Sequence, residues 1–118
     1  MTHCVSCRPG SPCEHHFQAQ VIELAHLYGW RVAHFRPART EKGWRTPVTA
    51  DGAGWPDLIL VHPVTGELLA LELKSAKGKL APAQEMWLGI LQGVKVVNAF
   101  CWKPEHFPLI EAALRRKA

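Results

Sequence analysis

Gly54–Lys74 reads GWPDLILVHPVTGELLALELK. Two short apolar runs, Asp57–His62 and Leu68–Lys74, flank the segment PVTGE. Runs of this length, divided by a Pro- and Gly-containing turn, predict the two strands of a hairpin. Side chains alternate along a strand, so Glu72 and Lys74 share one face while Leu71 and Leu73 take the other and pack. A tight turn near Thr65 brings Asp57 back beside the Glu72–Lys74 end. Two carboxylates and an ammonium are therefore expected at one corner of the sheet, on the rim of its apolar core.

Two carboxylates at close range repel unless positive charge lies between them. Lys74 offers one charge and a divalent cation offers two. Oxygen-only ligation with room for water suits Mg²⁺ or Mn²⁺. Such an ion can polarise a phosphate and lower the pKa of a bound water, and an adjacent lysine can orient or deprotonate that water or stabilise the transition state. This chemistry fits phosphodiester hydrolysis. The plainer alternative is a strand-end ion pair of Lys74 with Glu72 or Asp57, a kind of contact worth little.

Working outward, Glu14–Trp30 (EHHFQAQVIELAHLYGW) sets Phe17, Val21, Leu24, Ala25 and Tyr28 at helical spacing, with Gly29 as a natural stop. Glu23 lies off that apolar stripe and is expected in solvent. Trp30–Phe35 alternates like a strand. Residues 36–55, with their prolines, glycines and charges, read as a long loop or an extended excursion, of the kind that is usually functional or mobile. Ser75–Leu80 is a basic turn. APAQEMWLGILQG predicts a helix with Pro82 in its first turn and Gly93 at its end. Lys95–Trp102 is a further strand, and Pro104 opens a last amphipathic helix. The order αβββαβα implies an α/β fold with a mixed sheet flanked by helices: the hairpin supplies an antiparallel pair and the later helix a crossover.

The chain has 118 residues, 47% of them apolar, which suits one compact domain. Its net charge of +4 and pI near 9.1 favour a polyanionic partner. No apolar run approaches the roughly 20 residues of a membrane helix, and MTHCVSCRPG lacks the apolar centre of a signal peptide. A cytoplasmic protein without a membrane partner is the expectation.

The flanks make the hairpin specific. GWPDLILV (Gly54–Val61), ELKSAKGKLAPAQ (Glu72–Gln84) and EHHFQAQVIELAHLYGWRVAHFRP (Glu14–Pro37) together resemble the VRR-NUC domain family, a branch of the PD-(D/E)XK nuclease superfamily. The resemblance implies a restriction-endonuclease-like core. It implies that Asp57 and Glu72 bind the metal, that Leu73 lends its backbone carbonyl, that Lys74 is the catalytic lysine, and that Gln84 orients the site or contacts substrate. Glu14 matches an acidic residue that the family places near the metal; its other reading is a helix-start acid favouring the macrodipole. The implied activity is metal-dependent hydrolysis of DNA to a 5′-phosphate and a 3′-hydroxyl. Small members of the family resemble Holliday-junction resolvases and tend to form homodimers, which fits branched DNA. The family also occurs in phages, so a bacterial or phage-infected cell is the implied setting.

Arg36, Arg39, Lys42 and Arg45 before the hairpin, and Lys77 and Lys79 after it, are candidates for phosphate contacts with DNA, or else a solvated loop face. Trp44 and Trp55 flank the loop, where a tryptophan can stack on an unpaired base or staple the loop to the core. Trp30, Trp87, Trp102 and Cys101 are expected in the core. Residues 1–13 form a separate Cys-rich head ahead of a domain spanning 14–118. There Cys4, Cys7, Cys13 and His15 (or His16) are candidate ligands for a structural Zn²⁺, although the second half of the set is unusually tight. Two rival readings are a non-catalytic DNA-binding or assembly module that keeps the fold, and a zinc-binding adaptor working through the head.

Overall fold

A computed structural model describes residues 12–35, 38–40, 43–45 and 48–115. Helix α1 is Glu14–Leu27. Phe17, Val21 and Ala25, spaced four apart, form its buried stripe. Cys13 caps its start, with Sγ accepting from the His16 N–H at 3.5 Å. Gly29, at φ +89°, ends it in the left-handed region that only glycine enters without strain. Trp30 then drops into the core, and its indole N–H donates to the Leu114 carbonyl at 2.8 Å.

Strand β1 is Arg31–His34. The stretch read as a long loop carries two short strands, β2 (Ala38–Thr40) and β3 (Gly43–Arg45), paired antiparallel in a small sheet of their own. Three-residue polar strands leave no alternating apolar pattern in a sequence, which is why the loop reading missed them. β4 (Leu58–Val61) and β5 (Leu68–Leu73) are the expected hairpin, in register Leu58↔Leu71. Helix α2 (Pro82–Gln92) carries the chain to β6 (Val97–Trp102), which pairs parallel to β5. The main sheet runs β1-β4-β5-β6, mixed as expected. A single 3₁₀ turn, Pro104–His106, precedes helix α3 (Phe107–Leu114), so Pro104 opens that turn and not the helix itself.

The hairpin turn is locked by one histidine. His62 is 3% exposed; its Nδ1 accepts from the Val64 and Thr65 N–H groups, both at 3.3 Å. That leaves the proton on Nε2, which donates to the Tyr28 carbonyl at 2.9 Å. The far end of the hairpin is thereby tied to the end of α1.

The two faces of the sheet are covered unequally. Toward α1 and α3, Leu58, Leu60, Leu69, Leu71 and Leu73 pack on Phe17, Val21, Trp30, Ile110 and Leu114. Toward α2, the buried set is Ala70, Leu88 and Ala99, with Ile59, Leu80 and Leu91 at its margin. Glu72 alternates with Ala70 and so belongs to this second, thinner layer. No helix among the described residues is long and apolar enough to cross a membrane.

Candidate active site

Asp57 stands just ahead of β4, and the segment before it is held on both sides. The Asp57 carbonyl accepts from the Phe35 N–H at 2.8 Å, tying it to the end of β1. Gly54, at φ +87°, passes so close to Ala83 that a Cβ there would overlap the Ala83 backbone. Only glycine meets both demands, and Pro56, fully buried, fixes the next step. The Asp57 carboxylate is aimed across the hairpin: Oδ2 accepts from the Leu73 N–H at 3.1 Å.

Glu72 was expected on a rim and is instead inside the protein, 1% exposed. Strand alternation gives its face, but only the placement of α2 determines that this face is covered. Its Oε1 accepts from Gln84 Nε2 at 3.1 Å. Gln84, in the first turn of α2, is held from behind because its Oε1 accepts from the Ala81 N–H at 2.8 Å. The same glutamine therefore satisfies the start of a helix and orients a buried carboxylate.

Burial pushes the Glu72 carboxyl up to about 9; the charge of Asp57 and a hydrogen bond to it push the same way, and Lys74 only partly opposes them. Without further positive charge, buried Glu72 thus retains its proton at neutral pH. Lys74, half-buried at the end of β5, donates its backbone N–H to the Trp102 carbonyl at 3.0 Å. Glu14 lies within the same field. Its carboxyl is raised first by burial and then by Asp57, with Lys74 opposing.

The donor set suits a hard divalent cation. Two neighbouring carboxylates, and a backbone carbonyl at Leu73 between Glu72 and Lys74, offer oxygen alone and leave positions for water and phosphate. Among the described residues no three Asp, Glu, His or Cys side chains are gathered closely enough to hold an ion by themselves. Glu14 contributes to the field of the site without completing a three-carboxylate cage.

The other candidates are dispersed. Lys77 and Lys79 are exposed on the turn that follows Lys74, and Lys103, which sequence reasoning passed over, reaches that turn through Nζ to the Ala76 carbonyl at 3.4 Å. Arg36 and Lys42 lie outside the described residues. Arg39 and Arg45 sit on β2 and β3, with only their backbone described. Cys4 and Cys7 lie outside the described residues, while Cys13 serves as the α1 cap and His15 is exposed.

Glu23 is exposed and Trp30 and Trp102 are core, as read. Cys101 is only partly buried, and burial raises its thiol pKa. Trp87 is not in the core either. It stands half-buried against Trp55, ring centroids 5.0 Å apart and edge-on at 84°. The spacing carries a signal for this: Trp87 lies three residues after Gln84, on the same side of α2.

The family model for the VRR-NUC domain matches residues 36–101. That span is more than half of the chain and holds Asp57, Glu72, Lys74 and Gln84; Glu14 and α1 lie before it. No curated protein and no solved structure matches the chain. The chain belongs to the VRR-NUC domain family, a nuclease-type domain of DNA processing.

Proposed function

We propose that this chain is a metal-dependent DNA endonuclease that acts on branched DNA, with Asp57, Glu72, Lys74 and Gln84 as its working residues. The observation that carries the reading is Glu72. A carboxylate 1% exposed beside a second carboxylate is costly to maintain and is explained by a bound cation. Asp57, Glu72 and the Leu73 carbonyl would hold Mg²⁺ or Mn²⁺. When bound, that ion supplies charge neutralisation and a more acidic water.

The chain's own residues do the rest. Gln84 fixes one oxygen of Glu72, and the Leu73 N–H fixes one oxygen of Asp57, so each carboxylate keeps its other oxygen for ligation. Lys74 adds an ammonium within the field of Glu72 and Glu14, where it can orient the attacking water and stabilise charge on the phosphoryl oxygens. Water attacks phosphorus, the bond to the 3′ oxygen breaks, and the 3′ oxygen leaves as a hydroxyl with a proton, giving a 5′-phosphate. Lys77 and Lys79 extend positive charge from the site along the phosphate backbone. A homodimer would present two such sites to two strands of a junction.

The test is cleavage of end-labelled four-way junction, 5′-flap, single-stranded and linear duplex DNA with Mg²⁺, Mn²⁺ or EDTA. Wild type should cut in a metal-dependent way, with branched DNA preferred, and Lys74→Ala should not. Well-folded wild-type protein that binds all four substrates and cuts none would replace this reading with a non-catalytic DNA-binding module.

A further inference from the structure

Phe35, Trp55 and Trp87 converge beside the carboxylate corner. Trp55 meets Phe35 edge-on at 6.1 Å and 83°, and Trp87 at 5.0 Å and 84°. With Val48 and Asp51 they line a concavity of about 470 Å³. All three aromatics remain half-buried, whereas Trp30 and Trp102, at 2% and 6% exposed, show what this chain does with tryptophans that serve only the core. The Trp87 indole N–H already has its partner, the Asp51 carbonyl at 2.9 Å, so the ring is held in place and its polar atom needs no ligand.

Three features define the occupant. First, the concavity adjoins the segments that carry the site. Trp55 is two residues before Asp57, which limits their Cα separation to about 7 Å. Phe35 bonds to Asp57 through its N–H, and Trp87 sits one helical turn beyond Gln84. Whatever fills it lies beside the backbone that presents Asp57. Second, among the described residues Asp51 is the only charged member of the lining. The described walls, one carboxylate among apolar groups, suit the uncharged part of a nucleotide better than its phosphate. Third, the walls offer aromatic rings and aliphatic groups, the surface on which a base stacks regardless of its identity.

We infer that the Phe35–Trp55–Trp87 concavity receives an unpaired nucleobase next to the scissile phosphate. This rests on the nuclease reading above and deepens it. A base inside a duplex has both faces stacked and cannot enter, so the pocket selects for junctions, flaps or flipped bases at the step where the backbone is cut.

The test separates the pocket from the chemistry. Forked DNA carrying 2-aminopurine at the unpaired position beside the branch is titrated with full-length protein in EDTA, against fully paired duplex of equal length. Wild type should quench the probe's fluorescence and bind the fork more tightly than the duplex. Trp87→Ala should abolish the quench and weaken fork binding about 5- to 100-fold, the range for loss of one base–aromatic stack. Duplex affinity should stay within about twofold. Trp87→Phe should restore most of the effect, and Trp55→Phe serves as a second variant with a conserved ring.

Equal weakening for fork and duplex, or unchanged quenching in Trp87→Ala, would overturn the inference and leave these rings as a loop staple. Were the occupant the chain's own Trp44, Trp44→Ala would strengthen fork binding and wild type would show no quench, which also overturns it. Quenching by wild-type protein that cuts no DNA with any metal would keep the pocket and reject the nuclease reading. Cutting without quenching would do the reverse.

Discussion

Leu71 and Glu72 are adjacent in β5 and almost equally buried, at 0% and 1% exposed, yet they contribute to stability with opposite sign. Leu71 faces α1 and α3, where removing a leucine side chain from water is worth about 1.5–3 kcal/mol. Glu72 faces α2, where removing a carboxylate from water is unfavourable unless it is neutralised. The apolar face is deep, from Phe17 through Leu58 to Ile110, while the other is thin and rests on Ala70, Leu88 and Ala99. One strand thus stabilises the fold on one side and positions charge on the other. The deep layer holds β5 in register so that the thin layer can carry a costly group.

The sharpest way to break this contrast is through the charged side. Lys74→Ala should lower DNA cleavage by about 10²–10⁴-fold, the span for a positioned acid–base group, with circular dichroism and unfolding midpoint close to wild type. On the apolar side, Leu71→Ala should cost about 2–5 kcal/mol in urea unfolding, since it opens a cavity among packed side chains. Had the two faces the same role, these two variants would give similar profiles in both assays.

A finer distinction comes from pH. The folded, metal-free chain keeps the Glu72 proton up to about pH 9, while the unfolded chain releases it near 4.5. Between those values the folded state holds more protons, so stability is full below pH 4.5 and falls as pH rises toward 9. Glu72→Gln should flatten that slope and raise metal-free stability at pH 8 by at least about 1 kcal/mol, while abolishing cleavage. Added Mg²⁺ should raise the wild-type melting temperature more at pH 8 than at pH 6, and should leave Glu72→Gln unmoved. The smallest effect belongs to Gln84→Ala, which leaves Asp57 and Glu72 in place but frees one oxygen of Glu72. About tenfold slower cleavage is expected, with stability changed by about 1 kcal/mol, read from kcat and urea midpoints.

Much of the carboxylate corner was legible because a hairpin is local. The turn length and the alternation of LLALELK fix which residue stands opposite which, and the Leu58↔Leu71 pairing brings Asp57 to the end of β5, where its carboxylate meets the Leu73 N–H. Depth was not legible. Whether the Glu72 face is open or covered depends on where α2 lands, and that is decided by Gly54 against Ala83 and by the β6 crossover, both distant in sequence from Glu72. Trp87 misled for a related reason. α2 carries apolar residues around most of its circumference, with Met86 and Ile90 both 54% exposed, so its pattern does not single out a buried face.

The parallel pairing of β5 with β6 also sets an order of events. The β4–β5 hairpin closes over a few residues and can form in about 1–10 μs, whereas β6 must wait for the α2 crossover to be threaded and docked. On that order, Asp57 and Glu72 are expected to come together while still hydrated and to lose their water only when α2 and β6 arrive. Uptake of the Glu72 proton is expected at that last stage. Refolding followed by tryptophan fluorescence should slow as pH rises from 6 to 9 in wild type and stay level in Glu72→Gln, so that the timing of assembly itself records which group the protein had to bury.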